Sequence, residues 1–226
     1  MSWSEYFDRQ IKLLGEDTQR SLQDKSVLIV GAGGLGCSVA YGVGTIGVGT
    51  VDIIDFDTVA QHNIHRQIAF EIDDIGKSKA EVLTQRLALK NLYTEFGFDS
   101  VSFEDFIQKS HKRYDLIIDA TDNTQTRLQI DSYAKAKGIA WVYGSVEEFM
   151  GQVCLFVNSS YKEFNQAQTS IKGISAPMVM HIASLQSTLA LRYLADLDVS
   201  KDLLYYIYFK NGELITQKFK MPTKED

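Results

Sequence analysis

A chain of 226 residues, 45% of them hydrophobic, can bury one full core or two small ones, and a formal charge of −6 excludes a broadly basic, nucleic-acid-binding surface. No apolar run reaches the roughly 18 residues of a membrane helix and no charged leader with an apolar core is present, so a cytoplasmic protein without membrane contact is expected. Cys37 and Cys154 lie far apart with no CxxC pair, which excludes a disulfide framework and a structural zinc site.

Positions 3–14, WSEYFDRQIKLL, set Trp3, Phe7, Ile11 and Leu14 at helical spacing with Gly15 as a stop, and predict one amphipathic leading helix. Strand-length apolar runs then alternate with amphipathic segments. SVLIV at 26–30 is followed by a helix near 34–47, TVDIID at 50–55 by a helix near 77–91, and LYTEFGF at 92–98 by a short helix near 103–112. YDLIIDA at 114–120 precedes a helix near 124–137, and AWVYGS follows at 140–145. The alternation predicts an α/β, Rossmann-like fold, a mainly parallel sheet with helices on both faces. MGQVCLFV at 150–157 reads as a further strand, 158–174 as a polar loop, and 175–196 as a long helix with Pro177 in its first turn. LLYYIYFKNGELITQKF at 203–219 alternates about Asn211-Gly212, the signal of an antiparallel C-terminal hairpin. One domain is expected over 1–226: a helical arm at 1–24, a nucleotide-binding core at 25–145, and a crossover loop, long helix and hairpin at 146–226.

Gly31, Gly33 and Gly36, with Gly34 between them, form G-x-G-x-x-G directly after a strand and at the start of a helix, where the backbone can approach phosphate oxygens and the helix terminus favours their charge. Asp55 ends the second strand about 20 residues on, where a carboxylate accepts from ribose hydroxyls. This pair alone suits a nicotinamide or flavin dinucleotide. The next stretch, DFDTVAQHNIHRQ, adds Asp57, Asn63, Arg66 and Gln67, and GKSKAE adds Lys77 and Lys79. Cations and amides at that density suit displacement at a phosphoryl group better than hydride transfer. LIIDATDN then brings Asp119, Asp122 and Asn123 to the end of a strand that opens onto the same crevice, with Asp122 as a hard oxygen donor for magnesium.

The blocks GAGGLG, DFDTV…HNIHRQ, GKSKAE, DATDN and GISAPMVMHIASLQSTLALRYL, in this order from about residue 5 to 220, resemble the ThiF/MoeB/HesA family, relatives of the adenylating domain of ubiquitin-activating enzymes. The resemblance implies binding of ATP and Mg2+, and adenylation of the C-terminal glycine carboxylate of a small ubiquitin-like protein with release of pyrophosphate. By position in the blocks, Asp55 resembles the ribose-binding carboxylate, Asn63, Arg66 and Lys79 the phosphate-contacting residues, and Asp122 the magnesium-associated aspartate. YFDRQI resembles the family block RYSRQ, which makes Arg9 an arginine supplied to a partner subunit's site and implies a homodimer. Glu5 stands where that block has its first arginine, and His62 where a serine is usual.

The two CxxC pairs that hold zinc in many members are missing, and the loop NSSYKEFNQAQTSIKG carries no thiol. Zinc is therefore not expected, and the reaction is expected to stop at the adenylate, with a separate sulfur donor enzyme completing a thiocarboxylate on a ThiS- or MoaD-like carrier ending in Gly-Gly, for thiamine or molybdopterin synthesis. Three other readings stand beside this one: a relative that activates a peptide or tRNA-nucleoside carboxylate, an NAD(P)- or FAD-dependent oxidoreductase, and a silent scaffold.

Overall fold

The computed structural model describes residues 2–163 and 173–223. Its centre is one eight-stranded sheet, with β1 (Ser26–Val30), β2 (Thr50–Ile54), β3 (Glu95–Asp99), β4 (Leu116–Asp119), β5 (Ala140–Glu147), β6 (Met150–Phe156), β7 (Leu203–Lys210) and β8 (Glu213–Lys220) in the spatial order β3-β2-β1-β4-β5-β6-β7-β8. The pairs from β3 to β5 are parallel and those from β5 to β8 antiparallel. Strands β1, β2 and β4 are apolar almost throughout because both of their faces are covered, as a parallel sheet requires.

Val27, Ile29, Val51 and Ile53 face one layer, with α4 (Gly34–Gly44), α5 (Lys79–Ala88) and α8 (Ala176–Leu194). Leu28, Val30 and Ile54 face the other, with α6 (Phe103–Lys109) and α7 (Thr124–Lys137). The expected fold class is thus observed. The C-terminal hairpin turns at Asn211 and Gly212, both at positive φ (53° and 83°), the backbone that this dipeptide tolerates. No helix among the described residues is long and apolar enough to cross a membrane.

The leading segment departs from expectation. It is not one helix but α1 (Trp3–Tyr6) and α2 (Asp8–Leu14), broken at Phe7, whose backbone sits at φ −98°, ψ 12°. The bend buries the Phe7 ring against Gly47 and Tyr93, whereas α1 and α2 themselves bury nothing. A further helix, α3 (Glu16–Ser21), follows that no apolar pattern announces. It is anchored by Gln19, fully buried, which donates to the Ile46 carbonyl at 2.8 Å and accepts from Gln10 at 2.7 Å. Of the 158–174 loop, 161–163 form one 3-10 turn, while 164–172 lie outside the described residues.

Past β6 the chain is pinned by Asp202, which is buried at positive φ. Its carboxylate accepts from the amides of Val157, Asn158 and Ser159 and from the Ser159 hydroxyl at 2.6 Å. Burial raises its pKa, but these bonds outweigh it and hold the carboxyl below its ordinary value. Such a group adds stability above its unfolded pKa and loses it as pH falls through the folded one. Asp202→Ala, which orphans three amides, is expected to cost about 2–4 kcal/mol in urea denaturation at pH 7. The gap between the two chains should narrow below about pH 4, near the ordinary carboxylate value.

Candidate functional site

The C-terminal ends of β1, β2 and β4 open onto one cleft of ≈ 790 Å³. Its floor is the glycine turn. Gly31, at φ 99°, lies so close to the Ala120 carbonyl that a Cβ would stand 2.7 Å from its oxygen. Gly36 does not line the cleft; a Cβ there would overlap the Gly31 carbonyl, so this glycine lets α4 pack on its own turn. Gly36→Ala is expected to lower stability by about 3 kcal/mol and to weaken nucleotide binding with it, both readable by thermal melting with and without ligand. Gly33 is different: the nearest atom to a Cβ there is Gln67 Nε2 at 3.7 Å. Gly33 also N-caps α4 with no side-chain hydrogen bond, so the amides of the first turn keep their donor capacity and the helix dipole favours an anion.

Asp55 sits at the tip of β2 with Oδ2 accepting from the Ala32 amide at 2.6 Å and Oδ1 from the Asp57 amide at 2.7 Å. Burial pushes its pKa up although those amides and the nearby Lys79 pull it down. The carboxylate thereby shapes the glycine turn and retains lone pairs for a ligand hydroxyl.

Residues 57–79 fold back over the cleft edge. Lys79 is 5% exposed at the start of α5, and its ammonium meets Asp57 Oδ2 at 2.7 Å. Arg66 donates to the His62 carbonyl at 3.0 Å and contacts His65 Nε2 at 2.8 Å. Asn63 and Gln67 are buried, and Gln67 Oε1 has no hydrogen-bond partner among the described residues. Lys77 lies half-exposed and pairs with Asp74 at 3.0 Å, outside the cleft.

The opposite wall is the β4–α7 connection. Asp119, at the end of β4, turns into the protein and pairs with Arg127 at 3.1 Å; the aspartate is fully buried, so it does not open onto the crevice as the sequence reading has it. Asp122 is exposed at the cleft and makes no hydrogen bond or ion pair with other described residues. Asn123 lines the cleft too, and its Oδ1 accepts from the Thr126 amide at 2.8 Å as the N-cap of α7.

The cleft thus collects Gly31, Gly33, Gly34, Asp55, Asp57, Asn63, Arg66, Gln67, Lys79, Asp122 and Asn123 from three separate stretches. It leaves out Gly36 and also Arg9, which is exposed on α2. Sequence reasoning missed the apolar walls formed by Val146 of β5 and Val179 of α8, because apolar residues in a strand or helix read as core, and by Ile174, which falls at the end of the stretch read as a polar loop. Burial pushes the Cys37 thiol up to about 12 and raises that of Cys154 too, so both are inert at neutral pH. No group of three or more His, Cys, Asp or Glu that could hold a metal occurs among the described residues. The arrangement can bind a phosphorylated ligand on backbone amides and two cations, with one unpaired carboxylate opposite them.

Among curated proteins, the adenylyltransferase and sulfurtransferase MOCS3 of Caenorhabditis briggsae is 33% identical over 214 residues, 86% of this chain and 52% of that protein. The chain spans about half the length of such MOCS3 relatives, and 46% of the one from Dictyostelium discoideum. The molybdopterin-synthase adenylyltransferase of Escherichia coli (strain K12) is 31% identical over 202 residues, 84% of this chain and 81% of that protein. The crystal structure of E. coli MccB with ATP matches the fold with a TM-score of 0.80 at 18% identity, covering 97% of this chain and 72% of that one. A family model described as ThiF family matches residues 7–226, and the chain belongs to that family.

Proposed function

We propose that this chain is an adenylyltransferase that uses Mg2+ and ATP to activate the C-terminal carboxylate of a small ubiquitin-like sulfur-carrier protein ending in Gly-Gly. The observation that carries the reading is the meeting, in one cleft, of a glycine turn at a helix start, the cations Arg66 and Lys79, the hydroxyl acceptor Asp55 and Asp122, which is unpaired among the described residues. The names of the MOCS3 and E. coli relatives, both adenylyltransferases, support it.

In the reaction a carboxylate oxygen bonds to the α-phosphorus as the bond to the bridging oxygen of pyrophosphate breaks, leaving AMP on the carrier. No protein nucleophile is needed, which agrees with two buried, protonated thiols. Positioning and charge stabilisation carry the rate. Gly33 and the first-turn amides of α4 hold phosphate oxygens, Asp55 orients the ribose, and Arg66 and Lys79 offset the charge gathering on the leaving pyrophosphate. The cleft fits a magnesium nucleotide, because Mg2+ takes one or two carboxylates and completes its shell with phosphates and water, and Asp122 is a free hard donor at the right wall. When bound, the ion neutralises phosphate oxygens. Gln67 Oε1, buried without a partner among the described residues, offers a further acceptor to a ligand hydroxyl or amine. We place the chain in a homodimer in which Arg9 reaches the partner's cleft, with a separate sulfur donor and with thiamine or molybdopterin synthesis as the pathway. Incubation with magnesium ATP and carriers ending in Gly-Gly should add the mass of AMP to a carrier and support ATP–pyrophosphate exchange. A chain that binds ATP but gives neither with any such carrier contradicts the proposal.

A further inference from the structure

Two buried polar side chains grip the end of β4 from opposite faces of the sheet. From the α7 side, Arg127 donates Nε to Asp119 Oδ2 at 3.1 Å and its terminal nitrogen to the carbonyls of Thr121 at 2.6 Å and Gly144 at 3.3 Å. Burial opposes the charge, but Asp119 outweighs it and keeps the guanidinium charged. From the α8 side, Gln186, 0% exposed, donates Nε2 to the Asp119 carbonyl at 2.7 Å. Gly144 on β5 makes the closure feasible, since a Cβ there would overlap the Gln186 amide. Asp119 Oδ1 completes the arrangement by accepting from the Thr121 amide at 2.9 Å and its hydroxyl at 2.6 Å.

The carbonyls of Asp119 and Thr121 are therefore both held, and the next residue is Asp122, which has no anchor of its own among the described residues. The Oε1 of Gln186 is buried with no partner among the described residues, and an unsatisfied buried acceptor lowers stability, so the side chain does not serve the fold alone. We infer that Arg127 and Gln186 are positioning residues that set the place of the Asp122 carboxylate for a metal-bound nucleotide. The inference rests on the nucleotide reading above and adds to it a pair of residues 59 positions apart, on two helices that approach the end of β4 from opposite faces of the sheet.

Calorimetric titration of the full chain with a non-hydrolysable ATP analogue, in Mg2+ and in EDTA, separates this role from a purely structural one. Gln186→Met keeps the volume and removes both the donor and the orphaned acceptor. It should weaken binding in Mg2+ by about fivefold, leave binding in EDTA within about twofold, and keep or raise the melting temperature. Arg127→Lys, which keeps a cation for Asp119 but not the fork to two carbonyls, should show the same magnesium-selective loss with a lower melting temperature. Asp122→Asn should remove the gain from Mg2+, and adding Gln186→Met to it should change nothing further, because the two act through one carboxylate. Full retention of the magnesium gain in Gln186→Met, an equal loss in EDTA, or additivity with Asp122→Asn would overturn the inference. A wild-type chain that binds the analogue equally with and without Mg2+ overturns it together with the metal assignment, and one that binds no analogue at all overturns the nucleotide reading itself.

Discussion

Lys79→Ala is expected to lower ATP–pyrophosphate exchange by about a thousandfold, the scale at which a cation facing a phosphoryl transition state acts in other enzymes. The side chain is 7% exposed, so its charge acts in a site where water screens little. In the protein without nucleotide, Asp57 balances that charge at 2.7 Å, and the phosphates are expected to take over part of this pairing. Removing the ammonium leaves Asp57 able to turn to water, because its side chain is 52% exposed, so the fold should survive with a loss of about 1 kcal/mol. Lys79→Arg keeps the charge but needs more room at a buried position, and is expected to recover only part of the rate. Exchange within about tenfold of wild type in a folded Lys79→Ala chain would remove the residue from the chemistry.

Arg9→Ala is expected to be almost as damaging, and mixing it with Lys79→Ala should restore activity that neither shows alone. Arg9 is exposed on α2 and outside its own chain's cleft. In a homodimer with Arg9 acting across the interface, a mixed dimer has one cleft with its own Lys79 and the partner's intact Arg9. Random exchange of subunits makes half of the dimers mixed, so about a quarter of the sites should work. Arg9→Ala at full activity, or no recovery on mixing under conditions where subunits exchange, would end the assignment in trans. The substitution should leave the melting temperature unchanged, because an exposed side chain with no bond among the described residues holds nothing in place.

Much of the cleft is legible in the sequence because its chemistry sits at the ends of strands. Gly31, Asp55 and Asp122 each follow an apolar run, and parallel strands deliver their ends to one edge whatever the helices between them do. Asp119 shows the limit of that logic. It lies in the same kind of place as Asp55 but turns inward, because Arg127, eight residues on, offers it a buried partner. Lys77 and Lys79 share the block GKSKAE, and there the position in the block separates them: one faces water beside Asp74 and the other faces the cleft beside Asp57.

The alternation of strands and helices, the glycine turn, the Asn211-Gly212 hairpin and the family blocks are all readable from the residues alone, because each is a local pattern of period, backbone freedom or spacing. The break at Phe7, the polar-anchored helix α3, the packing role of Gly36 and the grip of Gln186 and Arg127 on β4 emerge once the chain is folded. Each of these depends on a partner distant in the chain or on the space beside one backbone atom. Hydrophobic periodicity records which face of an element is buried, but a buried glutamine or arginine is set by the particular carbonyl it meets, and that carbonyl arrives only when the sheet has formed.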